Sequence, residues 1–186
     1  MDALLKLRVL IWVLVIGLWG AMVYQYLGED EAAPSVMRPI NYRPVDTAPV
    51  DEVGADDLVP AWTESWALDP AVLNSDVARQ LVENKRRLGV ETNTRFFAAR
   101  VDGEVGAYCE LYSDGQTAQI ENVFTLDRFR KRGLARAVVS KALEVAQGHD
   151  LIFLIADQDD WPKELYRKLG FDDVGLIWEF ILPRAG

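Results

Sequence analysis

A short basic turn is the part of the sequence whose residues are best suited to chemistry. The stretch from Val123 to Arg136 reads VFTLDRFRKRGLAR, which predicts a strand end, a turn and a helix start. Backbone N–H groups at a helix start lack intrahelical partners, and the helix dipole attracts anions to them. Gly133 lets the backbone approach a phosphate without an intervening Cβ atom. The cations around it suit a diphosphate, although the basic run alone is also typical of an exposed helix start (Arg128, Arg130, Lys131, Arg132, Arg136).

Nucleophiles and metal ligands are few in the rest of the chain. One cysteine, Cys109, and one histidine, His149, argue against a disulfide, a zinc cluster and a histidine-activated nucleophile. Carboxylates, tyrosine, backbone groups and ordered water would then carry the chemistry, with no metal. The formal net charge is −9, and no basic stripe is interleaved with aromatic residues, so nucleic acid is not the expected partner. An acidic surface suits a cationic amine, but it also serves solubility.

Periodicity outlines the elements that would position the turn. Helices are predicted over residues 56–67, 75–88, 134–146 and 160–169, and strands over 95–101, 105–112, 117–126, 151–156 and 176–182. Asp102-Gly103 is a hairpin signal between the first two strands. This order predicts an α/β fold of the α+β type: a mixed, mainly antiparallel sheet flanked by helices, with residues 55–186 around one core.

Two motifs on these elements resemble those of a known enzyme family. The pattern Arg130-x-x-Gly133-x-Ala135 follows a predicted strand and opens a predicted helix. About 30 residues later, the last predicted helix carries Leu165-Tyr166-Arg167-Lys168-Leu169-Gly170-Phe171. Together they resemble the pyrophosphate loop and the closing motif of the GNAT superfamily of acyl-CoA-dependent N-acetyltransferases, over residues of about 93–183. Asp127 departs from the pattern, because many members have proline there.

The resemblance implies roles for the residues at these positions. Acetyl-CoA would be the co-substrate, and its pyrophosphate would lie against the basic turn (Arg130, Lys131, Arg132, Gly133, Leu134, Ala135, Arg136). Backbone groups of Val123 and Thr125 would hold the pantetheine arm and polarise the thioester carbonyl. Tyr166 would protonate the departing thiolate. The other interpretation of Tyr166 is an aromatic ring that packs against the sheet.

Glu121 is the first candidate for the general base, because transfer to an amine requires removal of a proton. It lies two residues before Val123, on the strand that lines the acetyl site in the family, and burial would raise its pKa toward neutrality. The other interpretations are a partner for a nearby arginine or a solvent-facing strand residue. Glu110, on the neighbouring strand, is the second candidate. Since Cys109 has no activating signature, the expected reaction is direct attack in a ternary complex.

The first 54 residues lie outside the resemblance. Residues 9–27 are apolar and would rise about 28 Å as a helix, close to the hydrocarbon thickness of a bilayer. Segment 1–28 is therefore either a membrane anchor or a buried helix and strand. Residues 29–54 are rich in proline and acidic residues, which is typical of a linker with at most one short strand near Met37–Pro44. The positive-inside rule would place a domain anchored this way outside the cell, where acetyl-CoA is lacking. A cytoplasmic location is expected, with membrane anchoring through residues 9–27 as the alternative.

The expected function is an N-acetyltransferase that moves an acetyl group from acetyl-CoA to a primary amine of a small molecule or peptide. The first alternative is a non-catalytic acyl-CoA-binding or sensor domain, with or without a membrane tether. The second is a membrane-tethered interaction protein. The sequence carries no motif that identifies the acceptor.

Overall fold

One seven-stranded sheet forms the centre of the structure. The computed structural model describes residues 35–39, 48–67, 75–157 and 161–177. The strands are β1 (Ser35–Pro39), β2 (Val50–Val53), β3 (Arg95–Val101), β4 (Glu104–Ser113), β5 (Thr117–Thr125), β6 (Leu151–Ala156) and β7 (Phe171–Leu176). Their order in the sheet is β2-β3-β4-β5-β6-β1-β7. The pairing of β5 with β6 is parallel, and the other pairings are antiparallel.

Four helices pack against this sheet. They are α1 (Ala55–Trp66), α2 (Ser75–Glu91), α3 (Leu134–Val145) and α4 (Pro162–Lys168), and a 3₁₀ turn over Asp127–Phe129 precedes α3. Successive residues of a strand point to opposite faces, and Tyr108 and Cys109 on β4 show which helices cover which face. The Tyr108 hydroxyl lies 2.8 Å from Ser65 Oγ of α1, whereas Cys109 Sγ lies 3.3 Å from the Val138 carbonyl oxygen of α3. Thus α1 lies on one face of the sheet and α3 on the other.

The apolar core fills the space between the sheet and these helices. Its largest fully buried apolar side chains come from α1, α3 and the strands (Leu58, Trp62, Phe97, Leu111, Ile120, Val138, Val139, Leu143, Leu154). Phe97, Ala98 and Ala99 are consecutive on β3 and completely buried, since helices cover both faces of that strand. Removal of this apolar surface from water is the main term that favours the folded state.

The predicted fold class is confirmed, and most predicted elements lie within a few residues of their expected bounds. Strands β3 and β6 begin and end where the alternation and the apolar run predict them. The hairpin between β3 and β4 turns at Asp102 and Gly103, whose φ angles are 52° and 84°. Positive φ at both central residues is what a type I′ turn requires.

The structure departs from the predicted pattern near the two ends of the chain. Residues 29–54, expected to be a linker with at most one strand, contribute both β1 and β2. Strand β7 spans Phe171–Leu176, ahead of the strand predicted over 176–182, of which residues 178–182 lie outside the described part of the chain. The pattern missed β7 because Asp172 and Asp173 interrupt any apolar alternation. Pairing with β1, not the side-chain pattern, makes this exposed segment a strand.

Among the residues that the structure describes, no helix is long and apolar enough to cross a bilayer. The apolar segment 9–27 lies outside those residues. The choice between an anchor and a buried helix and strand therefore stays as the sequence leaves it.

Gly106, in the interior of β4, lets the turn before α3 pack closely on the sheet. A Cβ atom at this position would lie 2.8 Å from Leu134 Cδ1 and 3.3 Å from Phe129 Cδ2. Leu134 begins α3 and Phe129 ends the 3₁₀ turn, and both side chains are buried. A larger residue at position 106 would push this turn away from the sheet.

We expect Gly106→Ala to lower the free energy of unfolding by about 1–3 kcal/mol, because added volume in a packed core forces its neighbours to shift. Urea denaturation measures the change. Gly175→Ala is the matched control, because a Cβ atom on Gly175 would meet nothing within 4 Å. Equal loss of stability in the two variants would contradict the close packing at Gly106.

Candidate active site

Strands β5 and β6 separate before they end, which opens a cleft in the sheet. Their pairing runs from Thr117–Leu151 to Ile120–Leu154 and goes no further in the described residues. Strand β5 continues to Thr125. Among its last five residues, the peptide groups that point away from β4 therefore have no ladder partner on the β6 side. Such groups are hydrogen-bonding sites for an extended ligand.

A β-bulge in β5 accounts for this separation. Tyr108 pairs with Phe124, but Glu110 pairs with Glu121, so two residues of β5 stand opposite Cys109 alone. One of them, Asn122, has a φ of 51°, in the left-handed region that asparagine tolerates better than most residues. A bulge bends its strand and increases the local twist. This bend turns the end of β5 away from β6.

The basic turn follows directly from the bent end of β5. Lys131 and Gly133 have φ angles of 63° and 77°, so the chain turns sharply before α3. The first hydrogen bond of the helix joins the Ala137 N–H to the Gly133 carbonyl oxygen at 3.1 Å. The N–H groups of the first turn of α3 therefore have no partner within the helix. Together with the positive end of the helix dipole, they make the start of α3 a suitable place for an anion.

The five cations of the turn divide into two groups. Arg128 forms ion pairs with Glu64 of α1 and Glu104 of β4, and Arg130 pairs with Asp127 at 2.8 Å. The charges of these two arginines are therefore balanced by carboxylates of the protein. No carboxylate pairs with the other three cations in the described part of the chain (Lys131, Arg132, Arg136).

Two buried polar atoms near the turn have no hydrogen-bond partner among the described residues. They are Arg136 Nε, on the first turn of α3, and Thr125 Oγ1, at the end of β5. An unpaired buried polar group costs free energy, so such groups in a native fold require an explanation. A polar, anionic ligand between the end of β5 and the start of α3 would supply the missing partners.

Glu121 lies on β5 immediately before the bulge. It is partly buried, and Gln119 Nε2 donates a hydrogen bond to its Oε1. Burial and, to a smaller extent, the nearby Glu110 charge raise the pKa of Glu121 to about 7, while Lys85 and the hydrogen bonds from the Asn122 N–H and Gln119 oppose the shift. The sequence-based expectation of a carboxyl group that titrates near neutrality fits this environment.

Glu110 is completely buried on β4, directly opposite Glu121. Its Oε2 accepts hydrogen bonds from Lys85 Nζ of α2 at 2.7 Å and from the Tyr112 hydroxyl at 2.5 Å. A carboxylate without exposed surface cannot contact an acceptor directly. Of the two candidate bases, Glu121 is therefore the one whose position suits the role.

Tyr166 is buried on α4, and its ring packs edge-on against Phe171 with centroids 6.0 Å apart. Helix α4 contacts β7, on the far side of β6 from the bulge. This contact agrees with the packing interpretation of Tyr166, and its catalytic role stays a prediction. The structure thus brings together Glu121, Val123, Thr125 and the basic turn, with Tyr166 on a separate element.

The two residues that could have supported other chemistry are structural. Burial raises the pKa of the Cys109 thiol, and its Sγ contacts the Val138 carbonyl oxygen. His149 contacts the Ala146 carbonyl oxygen through Nδ1 at 2.7 Å and Ser113 Oγ through Nε2 at 2.6 Å. Ser113 ends β4 beside the start of β5, whereas the basic turn follows the other end of β5. Neither side chain serves the cleft.

Sequence-based reasoning missed three residues that shape this site. They are Gly106, which admits the turn, Asn122, which forms the bulge, and Lys85, which pairs with Glu110. A glycine inside a predicted strand signals close backbone approach, so Gly106 was open to detection. Asn122 and Lys85 are of types that are common on exposed surfaces, and only the register of β4 and β5 reveals their roles.

The chain belongs to the acetyltransferase (GNAT) family. The model of this family matches residues 56–171, which is more than half of the chain. The match includes all the candidate site residues and both motifs on which the resemblance rests. Among curated proteins, none matches the chain.

Solved structures with the same fold include several acetyltransferases. A GNAT-family protein from Novosphingobium aromaticivorans aligns with a TM-score of 0.53 and 23% identity, over 76% of this chain and 60% of its own. AAC(6')-Iy, in complex with the bisubstrate analogue CoA-S-monomethyl-acetylneamine, aligns with a TM-score of 0.56 and 17% identity, over 75% and 100%. A Clostridium acetobutylicum protein, described as a predicted acetyltransferase and crystallised with acetyl-CoA, aligns with a TM-score of 0.55 and 17% identity. The alignment covers 72% of this chain and 95% of the Clostridium chain. At these identities, the comparisons establish a shared fold.

The raised pKa of Glu121 predicts a pH-dependent stability difference between the protein and its Glu121→Gln variant. In the folded state Glu121 keeps its proton up to a pH of about 7, whereas in the unfolded chain it releases the proton above its ordinary pKa of 4.5. Wild-type stability therefore falls as the pH rises from 4.5 to about 7. Glutamine has no such proton. We therefore expect Glu121→Gln to become more stable relative to wild type between pH 5 and pH 7, with no further change above pH 8.

Urea denaturation at several pH values checks this expectation. Glu144→Gln is the control. The Glu144 side chain is 62% exposed, so this variant makes the same change from carboxylate to amide on the surface. A stability difference for Glu121→Gln that is independent of pH would contradict the raised pKa.

Proposed function

We propose that the protein is an N-acetyltransferase that moves an acetyl group from acetyl-CoA to a primary amine by direct attack in a ternary complex. The observation that carries the proposal is the cleft between β5 and β6, with an anion-binding helix start at its mouth and Glu121 on its wall. Family membership supports acyl transfer as the class of reaction. Acetyl-CoA is a cytoplasmic metabolite, so we place the domain in the cytoplasm.

The diphosphate of the donor would bind at the basic turn. The N–H groups of Arg132, Gly133, Leu134, Ala135 and Arg136 precede or form the first turn of α3. They would donate hydrogen bonds to the phosphate oxygens. The guanidinium of Arg136 would supply a further charge-assisted bond through its buried, unpaired Nε. Lys131 and Arg132, exposed at the rim, would add attraction that weakens with salt. The acetyl-CoA complex of the Clostridium protein supports this class of donor.

The pantetheine arm would lie along the unpaired edge of β5. Its two amides would bond with peptide groups of Val123 and Thr125, as an added strand bonds with a sheet edge. The bulge at Asn122 would direct a backbone N–H toward the thioester carbonyl. Such a donor stabilises the negative charge that develops on this oxygen during attack.

The chemistry at the end of the arm then requires one base and one acid. Glu121 would take a proton from the ammonium of the acceptor, directly or through water, and the freed nitrogen lone pair would attack the thioester carbon. Collapse of the tetrahedral intermediate would break the C–S bond, and the nitrogen would lose its second proton to water as the neutral amide forms. The hydroxyl of Tyr166 would protonate the departing thiolate and then regain a proton from solvent, so that the turnover releases one proton overall. The products are an N-acetylated amine and coenzyme A.

Direct transfer is favoured over an acetylated enzyme by the state of the single thiol. Cys109 has no exposed surface, and burial and the Glu110 charge raise its pKa. A thiol must ionise and reach the carbonyl carbon in order to carry an acyl group. Orientation of donor and acceptor, together with carbonyl polarisation, would therefore supply most of the rate enhancement.

We expect Glu121→Gln to lower kcat/KM for amine acetylation by about 10²–10⁴-fold, because it removes the general base. Coenzyme A affinity should remain within about threefold of wild type, since Glu121 would contact the acceptor. Release of free thiol in the presence of a panel of primary amines measures the rate, and calorimetry measures the affinity.

The same panel separates the enzyme from the alternative of a non-catalytic acyl-CoA-binding domain. Tight coenzyme A binding without amine-dependent thiol release from any panel member would contradict the proposed function. The Glu144→Gln variant, which alters a surface carboxylate on α3, controls for nonspecific effects of charge.

Gly133→Ala tests the donor site itself. The φ of 77° at Gly133 is strained for alanine, by about 1–2 kcal/mol, and the distortion would fall on the N–H groups that hold the diphosphate. We expect coenzyme A affinity to fall tenfold or more. Gly103→Ala is the matched control, since Gly103 also has a left-handed φ, 84°, and a Cβ atom there would meet nothing within 4 Å, but it lies in the β3–β4 hairpin. Equal affinities for the two variants would contradict diphosphate binding at this turn.

A further inference from the structure

Two carboxylates face each other beside the cleft. Glu110 of β4 and Glu121 of β5 are direct partners in the antiparallel register, next to the bulge. Like charges directly opposite each other on a sheet destabilise it. The sheet nevertheless places one of them in the core, with no exposed surface. A compensating interaction must therefore hold this pair.

Lys85, on helix α2, supplies that compensation. Its side chain is only 14% exposed, and its Nζ lies 2.7 Å from Glu110 Oε2 and 3.4 Å from the Tyr112 hydroxyl. The Tyr112 hydroxyl donates to the same carboxylate oxygen. Glu110 Oε1 has no hydrogen-bond partner in the described part of the chain. The carboxylate is thus held from one side, and its free oxygen is left without compensation.

The burial of this ion pair distinguishes it from the others. In the described part of the chain, the remaining ion pairs each include a partner that is at least 41% exposed. Exposed pairs contribute little, and a buried pair of this kind is often no more stabilising than apolar residues of the same size. Fold stability alone therefore gives a weak reason for placing Lys85 and Glu110 here.

We infer that the Lys85–Glu110 ion pair controls the protonation of Glu121, which makes both residues positioning residues for proton transfer from the acceptor. This inference rests on the proposed function in assigning the general base to Glu121. Neither Lys85 nor Glu110 needs to contact the acceptor for this role. They act on the reaction through the charge they place beside Glu121.

The physical basis is the charge that the ion pair presents to Glu121. Lys85 Nζ lies 2.7 Å from Glu110 Oε2, and the negative charge of Glu110 opposes ionisation of Glu121 across the strand pair. Lys85 partly offsets this effect. Uncharged groups also face Glu121: the Asn122 N–H and Gln119 donate hydrogen bonds to it, and burial raises the pKa of Tyr112 well above its ordinary value. The result is a carboxyl group that gives up its proton near neutral pH, as a base for an ammonium requires.

Titration of Glu121 by ¹³C NMR in protein labelled at glutamate carboxyl carbons tests the coupling without any assay of activity. Glu110→Gln removes the opposing charge and leaves Lys85 in place, so we expect the pKa of Glu121 to fall by about one unit or more. The double variant Lys85→Met/Glu110→Gln removes both charges and guards against misfolding caused by an unpaired lysine. In this variant, the pKa should lie between those of Glu110→Gln and wild type.

Tyr112→Phe is the matched control, because it removes a hydrogen bond to Glu110 without changing any charge. Its effect on the pKa of Glu121 should be smaller than that of Glu110→Gln. An unchanged Glu121 titration in both Glu110→Gln and the double variant would overturn the inference. Equal shifts in Tyr112→Phe and Glu110→Gln would also overturn it, because they would assign the effect to packing.

The pH dependence of kcat/KM then connects the coupling to the reaction. The ratio of Glu110→Gln to wild-type activity should fall by up to tenfold between pH 6 and pH 8, since the variant base is ionised at lower pH and is weaker. Ionisation of the acceptor amine cancels in this ratio. If the NMR titration moves but the activity ratio is constant, the coupling stands and the assignment of Glu121 as base fails.

Discussion

Two neighbouring parallel strands cannot keep all their ladder hydrogen bonds and also admit a ligand between them. In this protein the conflict is resolved by the bulge at Asn122, where two residues of β5 stand opposite Cys109. The bulge bends β5 away from β6 beyond Ile120 and leaves peptide groups without strand partners. Peptide groups that lack a strand partner must bond with water or with a ligand instead. The cleft, the helix start at its mouth and the position of Glu121 all depend on this one irregularity.

The cations of the basic turn fall into two groups. Arg128 pairs with carboxylates on α1 and β4, and Arg130 pairs with the nearby Asp127, so these two charges are balanced within the protein. Gly106 lets the same loop lie close to the sheet. The cations that have no carboxylate partner among the described residues lie beside the unsatisfied N–H groups of α3. Close packing of the turn on the sheet holds these N–H groups in one arrangement, and a preorganised group loses less entropy when a ligand binds to it.

The environment of Glu121 depends on a different balance. Its pKa is raised by burial and by a neighbouring negative charge, and each is unfavourable to the fold. The sheet provides the burial, and the β4–β5 register places Glu110 opposite Glu121. Helix α2 provides Lys85, which forms an ion pair with Glu110. Two neighbouring strands and a helix from an earlier part of the chain therefore meet at Glu121. The environment of this side chain is a property of the assembled layers.

The sequence by itself determined the elements that have strong local signals. The alternation of β3, the apolar run of β6, the turn at Asp102-Gly103 and the glycine before α3 identify the fold class and the basic turn, because each signal depends on residues close together in the chain. The tertiary structure alone decided which cations remain available, where β5 bends, and that Lys85 lies against Glu110. It also decided the strand status of β1 and β7, whose pairing partners lie far away in sequence. Strand register and ion pairing arise between distant segments, and composition and spacing carry no record of which segments meet.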